Sequence, residues 1–295
     1  LSDPNLVAYW PLDESGQTTN FNDSKSYNNG TCTTTTCPNV TIGLSSVAKK
    51  FDGTNDFINF SNSSSFNPVG GNANFTISFW AKPSSVQTDD TGYVITKASS
   101  DSFAPYNIGY TASTNRWSPL MSASDCSCTP SCWRIGDTTR YVLGSPNNWQ
   151  MITLTRNGSD LRLSINGNSS VYNWTSALVS CSRPDAVLVG KINYATLYAF
   201  NGSIDEVLFY NRSLSQSEIN KLYKVGLSQH ANTNITLQTR TANSYNLSDK
   251  NLVSFWAFNN DSTLGEGESL VVDLKVEIML VVLEPLVLSL LLILL

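Results

Sequence analysis

Polar and apolar residues alternate along much of the first 210 positions. In FTISFWAKP, residues 75–83, Phe75, Ile77 and Phe79 share one face while Thr76, Ser78 and Trp80 take the other, the period of two that a strand imposes. Ile152 and Leu154 repeat it, as do Leu161, Leu163 and Ile165 beyond Asn157-Gly158. Asn157-Gly158 and Asn166-Gly167 are hairpin signals. Ile204, Val207 and Phe209 read as a buried strand that stops at Asn211. The period then changes: Ile219, Leu222 and Tyr223 give a helical face, and Ser215 with Glu218 forms a capping box at its start. Many short strands joined by such turns predict an all-β sandwich or jelly-roll.

An acidic pair, Asp205-Glu206, interrupts the last strand. As strand neighbours the two are expected on opposite faces, and an unpaired buried charge is costly, so a compensating cation is one expectation. The segment NGSIDEVLFYNRSLSQSEINKLY, residues 201–223, resembles the last strand and helix of the laminin G-like, concanavalin A-like jelly-roll domains. Gly202, Ile204, Asp205, Glu206, Val207, Tyr210, Asn211, Arg212, Leu214, Ser215, Glu218, Ile219, Leu222 and Tyr223 carry the likeness. LVAYWPLDE from Leu6, Asp23-Ser24 through Asn28-Asn29-Gly30-Thr31, and Phe51-Asp52-Gly53 with Asp56-Phe57-Ile58 resemble earlier family motifs. FTISFWAKP from Phe75 and WQMITLT from Trp149 do the same, so the resemblance covers about residues 5–227. It implies an antiparallel two-sheet jelly-roll sandwich with one short C-terminal helix.

The resemblance also implies a calcium site. Asp23, Asn28, Asn29 and Asp205 match the family's ligand positions, and hard oxygen donors of this kind suit calcium. Ser26 and Tyr27 replace the usual Gly-Asn of that turn. The competing reading makes Asp23 an Asx-turn acceptor and Asp205 a cap for a neighbouring N–H.

Composition fits an exported β protein. Charged residues are only 14% of the chain, and 18 Lys and Arg against 23 Asp and Glu leave a net charge of −5. That balance argues against nucleic acid as a partner, which wants clustered Lys and Arg. Six cysteines, Cys32, Cys37, Cys126, Cys128, Cys132 and Cys181, suggest disulfides in an oxidising compartment, extracellular or at a cell surface. Cys32 and Cys37 are close enough to staple a loop. Zinc held by Cys126, Cys128, Cys132 and Cys181 is the sharper alternative, against which C-x-C spacing counts. Fourteen N-x-S/T sequons, including Asn29, Asn62, Asn74, Asn173, Asn201 and Asn246, fit the same compartment.

LVSFWAFNN from Leu252 echoes LVAYWPLDE from Leu6, an internal repeat. The expected layout is a jelly-roll domain over 1–227, a polar linker over 228–250, the start of a second, truncated repeat over 251–274, and an apolar tail over 275–295. Where the family's next turn is due, the tail reads KVEIMLVVLEPLVLSLLLILL. Glu284-Pro285 break it below the roughly 20 apolar residues of a spanning helix. Codons for Lys275 to Ile278 read two bases on can spell S-G-N-N or S-G-N-H, so a frameshift is expected. Membrane association follows only if the tail is genuine.

Trp10, Trp80 and Trp149 read as core aromatics. Trp117, Trp133 and Trp174 lie in loop-like sequence and are the candidates for a sugar-stacking platform. Catalysis is hard to assemble. His230, the one histidine, falls in the linker, which excludes a histidine triad in the domain, and the clustered E-x-D-x-x-E strand of jelly-roll glucanases is absent. The expected function is a noncatalytic binding module for a glycan or a cell-surface protein. The alternatives are a structural spacer in a tandem adhesin-like array and an accessory domain of a glycoside-active enzyme.

Overall fold

The computed structural model describes residues 2–44, 46–60, 63–67, 74–97, 105–120, 142–158, 160–173, 185–192, 198–230, 255–258, 276–283 and 287–294. Trp133, Trp174, Cys126, Cys128, Cys132 and Cys181 lie outside them. The chain divides into two units, Leu1–Asn232 and Thr233–Leu295.

In chain order the first unit's strands begin with β1 (Leu6–Trp10), β2 (Asn20–Phe21), β3 (Gly30–Thr31), β4 (Asn39–Ile42), β5 (Val47–Asp52) and β6 (Ile58–Asn59). Next come β7 (Phe75–Pro83), β8 (Thr91–Lys97), β9 (Tyr106–Thr111), β10 (Arg116–Leu120) and β11 (Val142–Leu143). The last are β12 (Gln150–Asn157), β13 (Asp160–Ile165), β14 (Asn168–Asn173), β15 (Leu188–Val189) and β16 (Asn201–Tyr210), followed by the helix α1 (Gln216–His230). One sheet runs β14-β13-β12-β7-β16-β5-β4, with β1 also on β16; the other runs β11-β10-β9-β8-β15-β6-β3-β2. The ladders are antiparallel, so the fold is the all-β, two-sheet sandwich that the alternation predicts.

Phe75, Ile77 and Phe79 of β7 join Trp10, Phe21, Phe51, Phe60, Phe66, Ile152, Leu154 and Phe209 in the core between the sheets. The outer face of β7 is covered as well. Trp80 packs with Leu6, Leu44, Met151, Tyr210, Leu214 and Ile219 in a second cluster. Two buried polar outer positions satisfy each other: Ser78 and Thr153 share a hydrogen bond of 3.0 Å across β7 and β12. Asn166-Gly167 makes the β13–β14 turn between the paired Ile165 and Asn168, with φ of 54° and 79°, the positive values such hairpins demand.

The capping box forms at the start of α1. The Ser215 N–H donates to Glu218 Oε2 at 2.8 Å, and the Glu218 N–H donates to Ser215 Oγ at 3.4 Å. Arg212 clamps this end, donating to Asp3 at 2.5 Å and to Glu218 at 2.7 Å. The helix is not short: it has 15 residues and includes His230, which the sequence placed in a linker. Tyr223 stacks on Trp80 with 5.7 Å between ring centroids. One turn on, Gly226 sits so close that a Cβ there would lie 2.5 Å from the Trp80 ring. Contact with Trp80 therefore continues past Leu222, and a glycine inside the helix is what permits it.

The disulfide Cys32–Cys37 is formed, with Cα atoms 5.2 Å apart. The second unit contains β17 (Phe255–Phe258), β18 (Val276–Leu283) and β19 (Val287–Leu294) in one antiparallel sheet of that order. Among the described residues no helix is long and apolar enough to cross a membrane.

Helix propensity alone would make Gly226→Ala stabilising by about 1 kcal/mol. Overpacking against the Trp80 ring costs about 1–3 kcal/mol and should win. The variant is expected to melt below the wild type; a higher melting temperature would mean that α1 is not seated on Trp80.

Candidate functional site

Asp23 is buried at the centre of the turn between β2 and β3. Its Oδ1 accepts from the N–H groups of Tyr9 and Lys25, both at 2.9 Å. Its Oδ2 accepts from Tyr27 N–H at 3.3 Å, Asn28 N–H at 3.1 Å and Asn28 Nδ2 at 3.3 Å. Its own N–H donates to Asn29 Oδ1 at 2.8 Å, and the Asn28 carbonyl accepts from Trp10 Nε1 at 2.7 Å. The calcium donors that the resemblance implies in this turn are thus committed to internal hydrogen bonds. Among the described residues no group of three or more His, Cys, Asp and Glu is arranged to hold a metal ion.

Asp205 and Glu206 do not take opposite faces. Across from β7, Asp205 pairs with Trp80 and Leu208 with Ser78, so Glu206 and Val207 together oppose Phe79. This is a β-bulge, and Glu206 adopts its positive φ of 52°. Ile204 and Val207 both enter the core, which leaves both carboxylates on the outer side. There Asp205 Oδ2 accepts from Leu44 N–H at 2.9 Å, and Glu206 Oε2 accepts from the Tyr9 hydroxyl at 2.5 Å. Burial pushes the Asp205 carboxyl up to about 8, opposed by the Leu44 N–H and assisted by the charges of Glu206 and Asp13. Burial likewise raises Glu206, against the Tyr9 hydrogen bond. A buried cation, Lys49, donates to the Glu14 carbonyl and lies 3.8 Å from the Glu14 carboxylate. Burial lowers the Lys49 ammonium, and the charges of Glu14, Asp13 and Asp205 act to raise it.

Trp117 is not part of a stacking platform. It lies on β10 in register with Tyr110 of β9 and has no exposed surface. Its ring packs 5.0 Å from Tyr110 and 6.0 Å from Phe79.

A cleft of about 590 Å³ opens instead on the outer face of the β4–β5–β16–β7 side of the first sheet. Lys50, Lys82, Ser203, Thr41, Asn148 and Trp149 are among its lining residues. Register explains the arrangement. Ser203 pairs with Lys50 on one side and with Lys82 on the other, so all three point outward in one row. Adjacent strands are about 4.8 Å apart, which sets the two lysines about 10 Å apart at the backbone. Lys50 Nζ donates to Asn201 Oδ1 at 3.3 Å. Burial, then the charge of Lys82, lowers its ammonium. Trp149, half-buried, backs the cleft from the cluster under α1. The loop before it is tied down by Asn147 N–H donating to the Pro83 carbonyl at 2.7 Å.

Sequence reasoning missed this site. It counted Trp149 as core and passed over Lys50 and Lys82. The available signal was charge at outward positions of otherwise apolar strands, KKFD after Ala48 and WAKP from Trp80.

The profile described as the concanavalin A-like lectin/glucanases superfamily matches residues 52–220. The chain belongs to that superfamily. No curated protein matches it in sequence. Among solved structures, it is similar to the binding domain of Paraclostridial Mosquitocidal Protein 1, with a TM-score of 0.55 and 18% identity, covering 75% of this chain and 52% of that one. The botulinum neurotoxin serotype G binding domain gives 0.55 and 17%, covering 75% and 51%. Trypanosoma rangeli sialidase in complex with sialic acid gives 0.51 and 15%, covering 77% and 33%. The chain thus spans about half of the toxin domains and a third of the sialidase. At these identities the likeness is one of fold.

Two outcomes follow for stability. Asp23→Asn replaces an acceptor by a donor facing N–H groups, and hydrogen bonds to a charged group are worth about 1.5–3 kcal/mol each. The variant should lose at least about 2 kcal/mol in chelator and in millimolar calcium alike; a loss seen only in calcium would make Asp23 a ligand. Asp205 keeps its proton to about pH 8 in the folded chain, whereas an unfolded Asp releases it near about 4. The folded state therefore binds more protons in between, and stability falls as pH rises through that window, by up to about 1.4 kcal/mol per pH unit. Asp56, raised to about 6 mainly by burial, acts with the same sign. Thermal melts in chelator should show Asp205→Asn flattening this fall; an unchanged slope would show that Asp205 is ionised throughout.

Proposed function

We propose that the first unit is a noncatalytic binding module of an exported surface protein and holds a glycan in the cleft beside Trp149. The cleft carries this reading. It combines a half-buried indole, whose face suits the C–H surface of a sugar ring, with hydroxyl, amide and ammonium groups that suit its oxygens. Thr41, Lys50, Lys82 and Ser203 stand on paired strands, so they are oriented before a ligand arrives. The fold shared with toxin binding domains and with a sialidase solved with sialic acid supports the same reading. The pattern of carboxylates favours binding over hydrolysis. Glycoside hydrolysis uses two carboxyl groups flanking the scissile bond, and among the described residues no carboxylate lines the cleft.

The test is a glycan array probed with the full chain, wild type and Trp149→Ala, with melting temperatures measured on both. Binding by the wild type and a loss of about tenfold or more in the variant, about 1.4 kcal/mol, are expected. Asn148→Ala, on the exposed rim, supplies a second variant that leaves the apolar cluster intact. A folded wild-type chain that binds no glycan on the array would overturn the proposal.

A further inference from the structure

We infer that the ligand of this cleft is an acidic saccharide, with its carboxylate or sulfate seated between Lys50 and Lys82; the inference rests on the binding-module reading above. The chain as a whole is acidic, at −5, yet the cleft lining holds two lysines and, among the described residues, no acid. The local sign opposes the global one. Both ammonium groups rise from positions paired to Ser203 on the same face, near enough that the charge of Lys82 acts against that of Lys50. That arrangement is unfavourable with nothing between the lysines, and an anion relieves it while accepting charge-assisted hydrogen bonds from both and one from Ser203.

The alternatives for neutralising these lysines are spent elsewhere. Asp205 lies just behind the cleft, where a Cβ on Gly43 would come within 2.7 Å of its Oδ2. It is buried and faces the Leu44 N–H, not the lysines. Among the described residues, Lys50 donates to the neutral amide oxygen of Asn201 and has no ion pair, and Lys82 is exposed with none. A second cleft, beside Ser213 and Leu214, makes the contrast. Its Arg212 is held by Asp3 at 2.5 Å and Glu218 at 2.7 Å, and its Arg162 lies 3.9 Å from Asp160. Cations there are internally balanced; in the first cleft they are not.

Lysine presents a compact charge on a flexible stem rather than a planar fork. The site therefore suits either carboxylate or sulfate, with Trp149 against the sugar ring. The two sources are separable by titrating the full chain with matched pairs: sialyllactose against lactose, and a heparin hexasaccharide against chitohexaose. The acidic member of at least one pair is expected to bind about tenfold or more tighter than its neutral partner, and raising the salt should shrink the gap. Lys82→Gln should remove about tenfold of the acidic member's affinity without moving the melting temperature, and Lys82→Arg should restore most of it. Preference in one pair only identifies the anion. Equal affinity within both pairs overturns the acidic ligand while leaving the binding-module reading intact. An acidic preference that both Lys82→Gln and Lys50→Gln leave unchanged places the anion elsewhere and also overturns it. No binding to any of the four probes by a natively melting chain rejects the inference, and a silent glycan array rejects the underlying reading with it.

Discussion

Strand β16 is buried on both of its faces, and the rest of the first unit is arranged around that condition. Its inward side chains meet the opposite sheet, while Leu208 and Tyr210 meet the cluster under α1. One edge pairs with β7, and the other is shared end to end by β5 and β1. Beyond Ser203, which faces the cleft, the strand has little solvent in which to leave a polar group. Its acidic pair is accommodated because the bulge turns Glu206 to the side that Asp205 already faces, where a backbone N–H and a tyrosine hydroxyl await them. The same bulge restores the inward phase at Val207, so Phe209 still reaches the core.

Much of this was legible from period alone. The alternation over residues 75–79 and 152–165, the Asn166-Gly167 turn and the Ser215–Glu218 box all depend on contacts within a few residues, and such contacts leave a local trace. The bulge left none. Asp205-Glu206 looks like two alternating positions until the ladder to β7 is known, because a bulge is a property of a pair of strands. Trp117 failed for a related reason: an indole on a short strand among Ser, Asn and Pro resembles a loop residue until its partner Tyr110 is placed beside it. Helix α1 was underestimated because what extends it is the seat of Gly226 on Trp80, which lies about 145 positions earlier in the chain.

The cleft was illegible for a further reason. Lys50, Ser203 and Lys82 are far apart in sequence and none belongs to a motif. They become a site only through two registers that meet at one serine. Net charge pointed the other way, since an average over 295 residues hides a local reversal of sign. Asp23 shows the converse. Its motif position suggested a ligand, whereas five N–H donors converging on one carboxylate make it the organiser of its own turn.

The pairing of β1 with β16 joins the two ends of the first unit, with Tyr9 and Glu206 separated by 197 positions. Contacts of that span are closed late, because the chain between them must first give up its loop entropy. During synthesis at roughly 5–20 residues per second, β1 emerges first and waits on the order of ten seconds or more for its partner. Throughout that interval the middle of the sheet is missing, and β5 and β7 expose the edges that β16 will fill. A chain of this topology gains from remaining unfolded until β16 has been made, since that strand seals the sandwich and is the last of the first unit's strands.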